Sequence, residues 1–541
     1  MRQSSVRGER GRSAVPEPRE DGEDDGPPGG KEPASGDAGY RPSGPRRPKR
    51  SRGVRILRWS ALTLTVLILG AAGAGYFYYQ HLNGNLRKEE LDLGDSKIGK
   101  PEPNAAGQTP LNILLIGSDS RNTAENVKLG GAKQDADRKP LADVQMLVHV
   151  SADRANMSVV SIPRDTRVTI PRCTDPKDGT VYPKTVGAIN QSLQHGGPGC
   201  TVATWKELTG VYIDHFMMID FSGVVSMADA IGGVPVCVNA NVYSHDSKGH
   251  GSGLKLTKGT HNVKGVQALQ WLRTRYGFED NTDIGRAKAQ HMYMTSMIRQ
   301  LKAGTKLSDP GKLMDLAEAA TNALTVDHGL GSVKKLYDLG NDLKRVPTKR
   351  TTMITMPWEY GGGGEYVLPK PGDAEQTFAL LRNDIALDGK DKKKPDTTPA
   401  PTAPKAEIPV VVQNGTASTV LGPVAGRAAV ITSELVRLGY AKATANSLLI
   451  SQADTTVLYP DEAEQGDALA VAKALKLAKS AVKSSKSVQH VTVVVGNDWR
   501  QGTTYPKAAA DSGDSDKTPE SADALNGEEK GCMKVNPGYS F

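Results

Sequence analysis

The chain has 541 residues, room for two or three domains, and carries 68 Lys/Arg against 60 Asp/Glu for a formal charge of +8. Residues 1–58 hold 14 Lys/Arg and 9 Asp/Glu, so five of the eight net charges lie there and the remainder is near balance. With aromatics at only 5%, neither a basic face nor base-stacking platforms are evident, which argues against a nucleic-acid partner.

The first 50 residues are rich in Gly, Pro, Ser and charge and lack the apolar residues of a core, so residues 1–58 read as a disordered basic tail. Arg46, Arg47, Lys49, Arg50, Arg52, Arg55 and Arg58 then crowd against an uncharged run, Trp59–Tyr79. As a helix those residues span about 31 Å, enough to cross a bilayer core. Tyr76, Phe77, Tyr78 and Tyr79 close the far end as an interfacial aromatic cluster. The basic flank predicts a cytoplasmic N-terminus and an extracellular body. The rival is a cleaved signal peptide, whose apolar region would be shorter and whose leading tail would not be this long. A retained single-pass anchor over 59–79 is the reading adopted.

Residues 80–108 read as a polar stalk. Leu111–Ile116 is an apolar run of strand length ended by Gly117-Ser118-Asp119-Ser120-Arg121. Val144–Val150 and Met157–Ile162 are β-rich runs separated by a turn-like SADRAN. If they form a hairpin, Asp143 and the Pro163-Arg164-Asp165 turn meet at one edge. If the Leu111 strand runs parallel to the second of them, Asp119 and Arg121 reach the same rim. Asp119 and Asp143 offer hard oxygens suited to Mg²⁺, which keeps waters and shares itself with phosphates. Arg121 and Arg164 could neutralise other oxygens of that group, and phosphoryl transfer needs chiefly positioning and charge stabilisation. The alternative is local: Asp119 caps a turn, Asp143 caps a strand entry, and Arg164 pairs with Asp165.

Further along, Ile189–Leu193 opens a short helical segment before a GGPGC loop, and Val202–Leu208 suggests another. Tyr212–Phe221 alternates as a strand, Val224–Ile231 is an apolar helix, and Val234–Val238 is a strand. His195, His215 and His245 lack metal-ligand spacing and read as loop or packing residues. The stretch Val266–Gln290 packs Arg273, Arg275 and Arg286 around Asp280 and Asp283, then starts a helix. Its apolar stripe is Ala287, His291, Met294, Ile298 and Leu301, with Asp283, Arg286 and Gln290 alongside. Three guanidiniums there make an anion grip, against the plainer reading of an exposed, ion-paired face. Residues 308–344 read as two or three helices and Thr352–Met356 as a strand. Strands alternating with helices predict an α-β-α layered domain with a mixed sheet over 109–388.

Residues 389–406 form a Pro/Thr/Lys linker, expected to be extended and exposed. Residues 407–499 read as a small α+β domain in the order β-α-β-β-α-β, similar to a ferredoxin-like split motif, serving binding or wall contact. The tail over 500–541 is expected to be disordered. Of the four cysteines, Cys173, Cys200, Cys237 and Cys532, none has CxxC spacing, and an exported compartment permits disulfides. Cys173–Cys200 is the preferred pair, both lying in Gly/Pro-rich sequence around one short segment, with pairing of Cys237 to either as the alternative.

LNILLIGSDSR at Leu111–Arg121, ADVQMLVHV at Ala142–Val150 and SIPRDT at Ser161–Thr166 resemble motifs of the LytR-CpsA-Psr family of membrane-anchored cell-wall enzymes. INQSL at Ile189–Leu193, IGGVPVCV at Ile231–Val238, and ALQWLRTRY with DIGRAKAQ continue the resemblance. It covers residues 109–305 strongly and extends weakly towards 388; residues 408–499 look like the C-terminal LytR-type domain of actinobacterial members. The resemblance implies a phosphotransferase moving a glycopolymer, for example teichoic acid, from a polyprenyl-pyrophosphate carrier onto peptidoglycan through a phosphodiester link. It implies Mg²⁺ on Asp119 and Asp143, and pyrophosphate oxygens on Arg121, Arg164, Arg273, Arg275, Arg286 and Gln290. Asp143 would activate the acceptor hydroxyl, with Arg164, Arg273 and Arg275 completing the catalytic set, and an apolar channel would take the lipid. The departure is an insertion, 122–141, which puts the rim geometry in question. The alternatives are a lipid-pyrophosphate hydrolase, with water replacing the sugar hydroxyl, and a non-enzymatic wall-binding or regulatory protein.

Overall fold

The computed structural model describes residues 52–541, apart from 95–97, 131–137, 303–309, 392–398, 418–421, 478–480, 507–516, 529–530 and single positions 102, 105, 122, 247, 365, 453 and 523. The expectation of disorder over 1–58 lies outside the described residues as far as 51, and is corrected over 52–58, which are helical.

Helix α1 (Arg52–Asn85) contains the Trp59–Tyr79 run and is long and apolar enough to cross a membrane. It extends further than the sequence reading. Leu82 and Leu86, one turn apart, are buried, and the strand after them, β1 (Arg87–Glu89), joins the main sheet. The stalk reading of 80–108 is therefore corrected at its start: apolar spacing continues past the membrane-length run.

In chain order the layered domain contributes β2 (Leu111–Ser118), α2 (Ala124–Gly130), β3 (Ala142–Val150), β4 (Met157–Ser161), α3 (Ser192–Thr209) and β5 (His215–Ile219). It continues with α4 (Phe221–Ile231), β6 (Val234–Val238), β7 (Gly259–Val263), α5 (Gly265–Arg273) and α6 (Asp283–Lys302). Next come α7 (Pro310–Ala323), β8 (Leu324–Asp327), α8 (Val333–Arg345), β9 (Thr351–Thr355) and α9 (Asp373–Arg382). A short strand, 525–526, adds itself to β9. The eight-stranded mixed sheet has the order β1-β8-β5-β2-β3-β4-β9 and then the 525–526 strand.

Alternate side chains on the central strands point to opposite faces. Leu114, Ile116, Leu147 and Val160 pack with Trp205 of α3 and Phe378 and Leu381 of α9. Ile113, Met146, Val148 and Val159 pack with Leu339 of α8 and, at the margin, Met294 and Ile298 of α6. Both faces of the sheet are thus covered, giving the α-β-α layering expected. The buried indole of Trp205 donates to Gln145 Oε1 at 2.6 Å, so the polar group of this core tryptophan is satisfied.

Several readings are corrected. The GGPGC stretch is not a loop; helix α3 runs through it with a kink, Gly197 at φ 67° and Pro198 starting the second part. A Cβ on Gly196 would lie about 3.0 Å from Cys173 Cβ and 3.1 Å from Cys200 Cβ, so the kink lets the helix approach the disulfide these cysteines form. Strand β8 interrupts the helices of 308–344. Cys237 pairs with Cys532, 295 residues away, and not with Cys173 or Cys200. The tail over 500–541, read as disordered, is corrected where it is described: Tyr505 is buried in the C-terminal domain's core, the 525–526 strand extends the main sheet, and Met533 and Val535 are buried, while 507–516 lie outside the described residues. The linker is anchored at both ends, by the Arg350–Asp391 ion pair and by Thr402, whose hydroxyl donates to Asp467 at 2.6 Å.

The C-terminal domain contains β10 (Val410–Ala417), α10 (Arg427–Arg437), β11 (Ala443–Ser451), β12 (Thr456–Tyr459), α11 (Gln465–Ala474), β13 (Val482–Ser484) and β14 (Val491–Val495). Element order is as read, with β13 added. The sheet order β11-β10-β14-β12-β13 differs from the split motif: β10 lies directly beside β11 and β14, parallel to both. Val410, Val412, Ile431, Leu435, Val471 and Val493 form its core. Its buried Arg427 donates to the carbonyls of Trp499 and Gly502, both at 2.7 Å, and lies over the Trp499 ring.

Candidate active site

Strand β2 pairs antiparallel with β3, and β3 with β4, so the ends of β2 and β4 and the start of β3 share one rim. The register of β2 against β3 shifts between Gly117, opposite Val144, and Ser118, opposite Ala142. Asp143 is the extra residue of this bulge, the usual device for re-aiming a side chain at a sheet end. Asp119 follows β2 and is only 4% exposed. Its Oδ1 accepts from the Leu141 N–H at 2.6 Å, and its Oδ2 pairs with Arg138.

Arg164 follows β4 and donates to Asp143 Oδ1 at 3.2 Å, with Asp165 Oδ2 at 3.5 Å and Asp283 Oδ2 at 3.6 Å from its Nε. Asp283 opens α6, where a carboxylate is favoured by the helix N-terminus. It also takes Arg275 and, at 2.9 Å, Arg286. Burial works against ionisation of Asp283, but the charge of Arg286 and the hydrogen bond from Arg275 outweigh it and hold the carboxyl well below the usual carboxylate range. Asp165, by contrast, is pushed up, first by burial and then by its hydrogen bond with Asp283. Two neighbouring carboxyls thus titrate apart, as coupled acids do.

Arg273, ending α5, donates to the carbonyls of Leu129 at 2.8 Å and Gly130 at 3.2 Å, at the C-terminus of α2, and stacks over Phe221. Burial and the charge of Arg121 push its pKa down, opposed by Asp143 and Asp119, but a guanidinium stays charged throughout the accessible range. Gln290, one turn beyond Arg286, donates to the Leu272 carbonyl at 3.0 Å, tying α6 to the end of α5.

All eight residues named from the sequence as site residues (Asp119, Arg121, Asp143, Arg164, Arg273, Arg275, Arg286 and Gln290) line one cavity of about 420 Å³. Cys173 and Cys200 lie elsewhere, joined as a disulfide. Six guanidiniums, including Arg138, face three carboxylates there, Asp119, Asp143 and Asp220, leaving a net positive hollow. Asp220 is occupied in capping α4 through the Gly223 N–H at 2.9 Å. The lining also includes the apolar side chains of Ile219, Phe221, Val224, Leu269 and Leu272. Asp119 and Asp143 are a donor set that fits a magnesium ion keeping most of its waters, and each engaged oxygen retains further lone-pair capacity. Among the described residues no cluster of three or more His, Cys, Asp or Glu that could hold a metal is present.

Sequence reasoning missed Arg138 and the organising role of Asp283. Arg138 lies in the 122–141 insertion, where no periodicity marks it. Asp283 was placed on the polar stripe as an ion-pair partner only. The insertion itself supports the rim through α2 and Arg138.

A mixed sheet whose rim gathers guanidiniums around two acids, beside apolar side chains, defines an α/β domain with a positively charged hollow. The model of the LytR_cpsA_psr family matches residues 76–382, and the chain belongs to that family. Residues 407–499 match a second model, described as LytR cell envelope-related transcriptional attenuator. Cell wall biosynthesis protein LcpA of Corynebacterium glutamicum is 28% identical over 495 residues, covering 86% of this chain and 90% of its own. A polyisoprenyl-teichoic acid–peptidoglycan teichoic acid transferase, TagU of Bacillus cereus, is 26% identical over 268 residues, 48% of this chain and 76% of its own. The solved LytR-Csp2A-Psr enzyme from Actinomyces oris is 20% identical with a TM-score of 0.40, covering 55% of this chain and 96% of that one.

Proposed function

We propose that this chain is a membrane-anchored phosphotransferase that moves a glycopolymer from a polyprenyl-pyrophosphate carrier to peptidoglycan. The observation that carries this reading is the convergence of all eight residues on one hollow whose lining also includes apolar side chains. The names of the LcpA and TagU relatives point the same way. Arg121, Arg273, Arg275 and Arg286 bind and orient the donor pyrophosphate, and the apolar lining residues take the start of the lipid chain. Helix α1 is the single-pass anchor, with its basic N-terminal flank inside and the layered domain outside. The C-terminal domain serves wall contact.

The acceptor hydroxyl oxygen bonds to the glycan-bearing phosphorus, and the bond from that phosphorus to the bridging oxygen breaks. Polyprenyl phosphate leaves, and the hydroxyl proton passes to Asp143. Arg164, 3.2 Å from Asp143, orients that carboxylate and neutralises charge on the transferring group. Asp119 and Asp143 would hold Mg²⁺, which when bound supplies further charge neutralisation on the pyrophosphate.

The test uses the purified full chain in detergent with labelled lipid-linked polymer and peptidoglycan. Polymer should become covalently bound to peptidoglycan, and Arg164→Ala or Arg273→Ala should lower kcat/KM by about a hundredfold or more. Release of free polymer alone would show hydrolysis, and full activity in both variants would refute the site.

A further inference from the structure

Between Arg275 and Asp283, two residues of the charged hub, the backbone takes an uncommon path. Gly277, Glu279 and Asn281 have φ of 108°, 46° and 64°. Glycine adopts such angles freely and asparagine does so often, but Glu279 holds its angle only where its surroundings impose it. Residues 533–539 supply those surroundings, although they lie more than 250 positions away in sequence.

The Glu279 N–H donates to the Lys534 carbonyl and the Asn536 N–H to the Gly277 carbonyl, both at 3.0 Å. Asn536 Nδ2 donates to the Glu279 carbonyl at 2.9 Å, and Phe278 and Val535 form an antiparallel bridge. The fully buried Phe278 shares one apolar cluster with Met533 and Val535. Tyr276, which lines the cavity, lies ring to ring with Tyr539 at 6.1 Å. The segment is tied to β6 by the Cys237–Cys532 disulfide and by the Met533 N–H, which donates to the Cys237 carbonyl at 2.8 Å.

We infer that residues 533–539 are a positioning segment of the active site, clamping the 276–282 loop so that Asp283 meets Arg275 and holds that guanidinium at the cavity. The inference rests on the transfer reading above for its activity readout, while the clamp itself is measured independently. Asn536 and Tyr539 do not line the cavity and act through the loop.

The experiment compares Asn536→Ala and Tyr539→Ala in the full chain with the native protein, and adds deletion of 533–541. Because deletion removes buried Met533 and can prevent folding, the point variants decide. Amide hydrogen exchange across 276–282 should accelerate in Asn536→Ala. Affinity for inorganic pyrophosphate should weaken about tenfold, and donor kcat/KM should fall about tenfold. In an Arg275→Ala background the same substitution should cost less than about twofold, because the loop has then lost the group it positions. Unchanged exchange would overturn the clamp whatever the activity. Faster exchange with native pyrophosphate affinity and kcat/KM would overturn the positioning role and leave the transfer reading standing. Equal fold losses in both backgrounds would overturn it in favour of general destabilisation. A native chain that transfers no polymer would sink the transfer reading, while exchange and pyrophosphate affinity would still decide the clamp.

Discussion

Asp283→Asn probes the hub of the site. The side chain of Asp283 is 14% exposed and compensates Arg286 at 2.9 Å and Arg275, with Arg164 Nε 3.6 Å away. The amide keeps the size but removes the charge. Breaking a buried pair costs about 3–5 kcal/mol, and because Arg275 is about a third exposed the lower end applies, about 3 kcal/mol. For a domain of this size that corresponds to a fall in Tm of about 6 °C. Since the Asp283 carboxyl lies below the usual carboxylate range, its contribution is present above the unfolded pKa of about 4 and is lost as pH falls further. Stability curves of native protein and variant should therefore run parallel at neutral pH and converge in acid. With Arg275 and Arg286 deprived of their common partner, donor kcat/KM should fall about a hundredfold. Calorimetry from pH 7 to pH 3 and a lipid-donor transfer assay measure both. Native Tm together with native kcat/KM would refute the reasoning.

Arg273→Lys keeps the charge but loses the planar fork that reaches the Leu129 and Gly130 carbonyls together, and transfer assays should show at least about a tenfold fall in kcat/KM. The buried His291, 2.9 Å from Ser161 Oγ, is pushed down by burial to about 4. The unfolded chain thus takes up this proton below about pH 6.5 and the folded chain does not, so stability falls by about 3 kcal/mol between pH 6.5 and 4. His291→Gln should remove that slope in denaturant titrations. Cys173→Ser opens a bridge closing 27 positions and should cost about 3.5 kcal/mol of stability, read from the denaturation midpoint.

The rim was legible because its residues flank strongly patterned strands. Asp119, Asp143 and Arg164 each stand at the end of an apolar run, and antiparallel pairing of two neighbours brings three such ends together. The Asp283, Arg286 and Gln290 stripe was legible for the same reason, from helical spacing. What escaped the sequence depends on distant partners. Strand β1 is three polar residues that gain their place only by pairing with β8, and the 525–526 strand is two residues on β9. Arg138 has no pattern around it and is revealed only by its ion pair with Asp119. In the C-terminal domain chain order was readable, but the parallel neighbours of β10 are set by crossovers that short-range signals do not encode.

The sheet takes its outermost member from residues 525–526, and β6 is bonded to Cys532, so the α-β-α body is built from both sides of the 407–499 module. During synthesis, that body has its final edge only after the whole intervening module has been made. A backbone cut within 500–516 would leave the returning strand attached through sulfur.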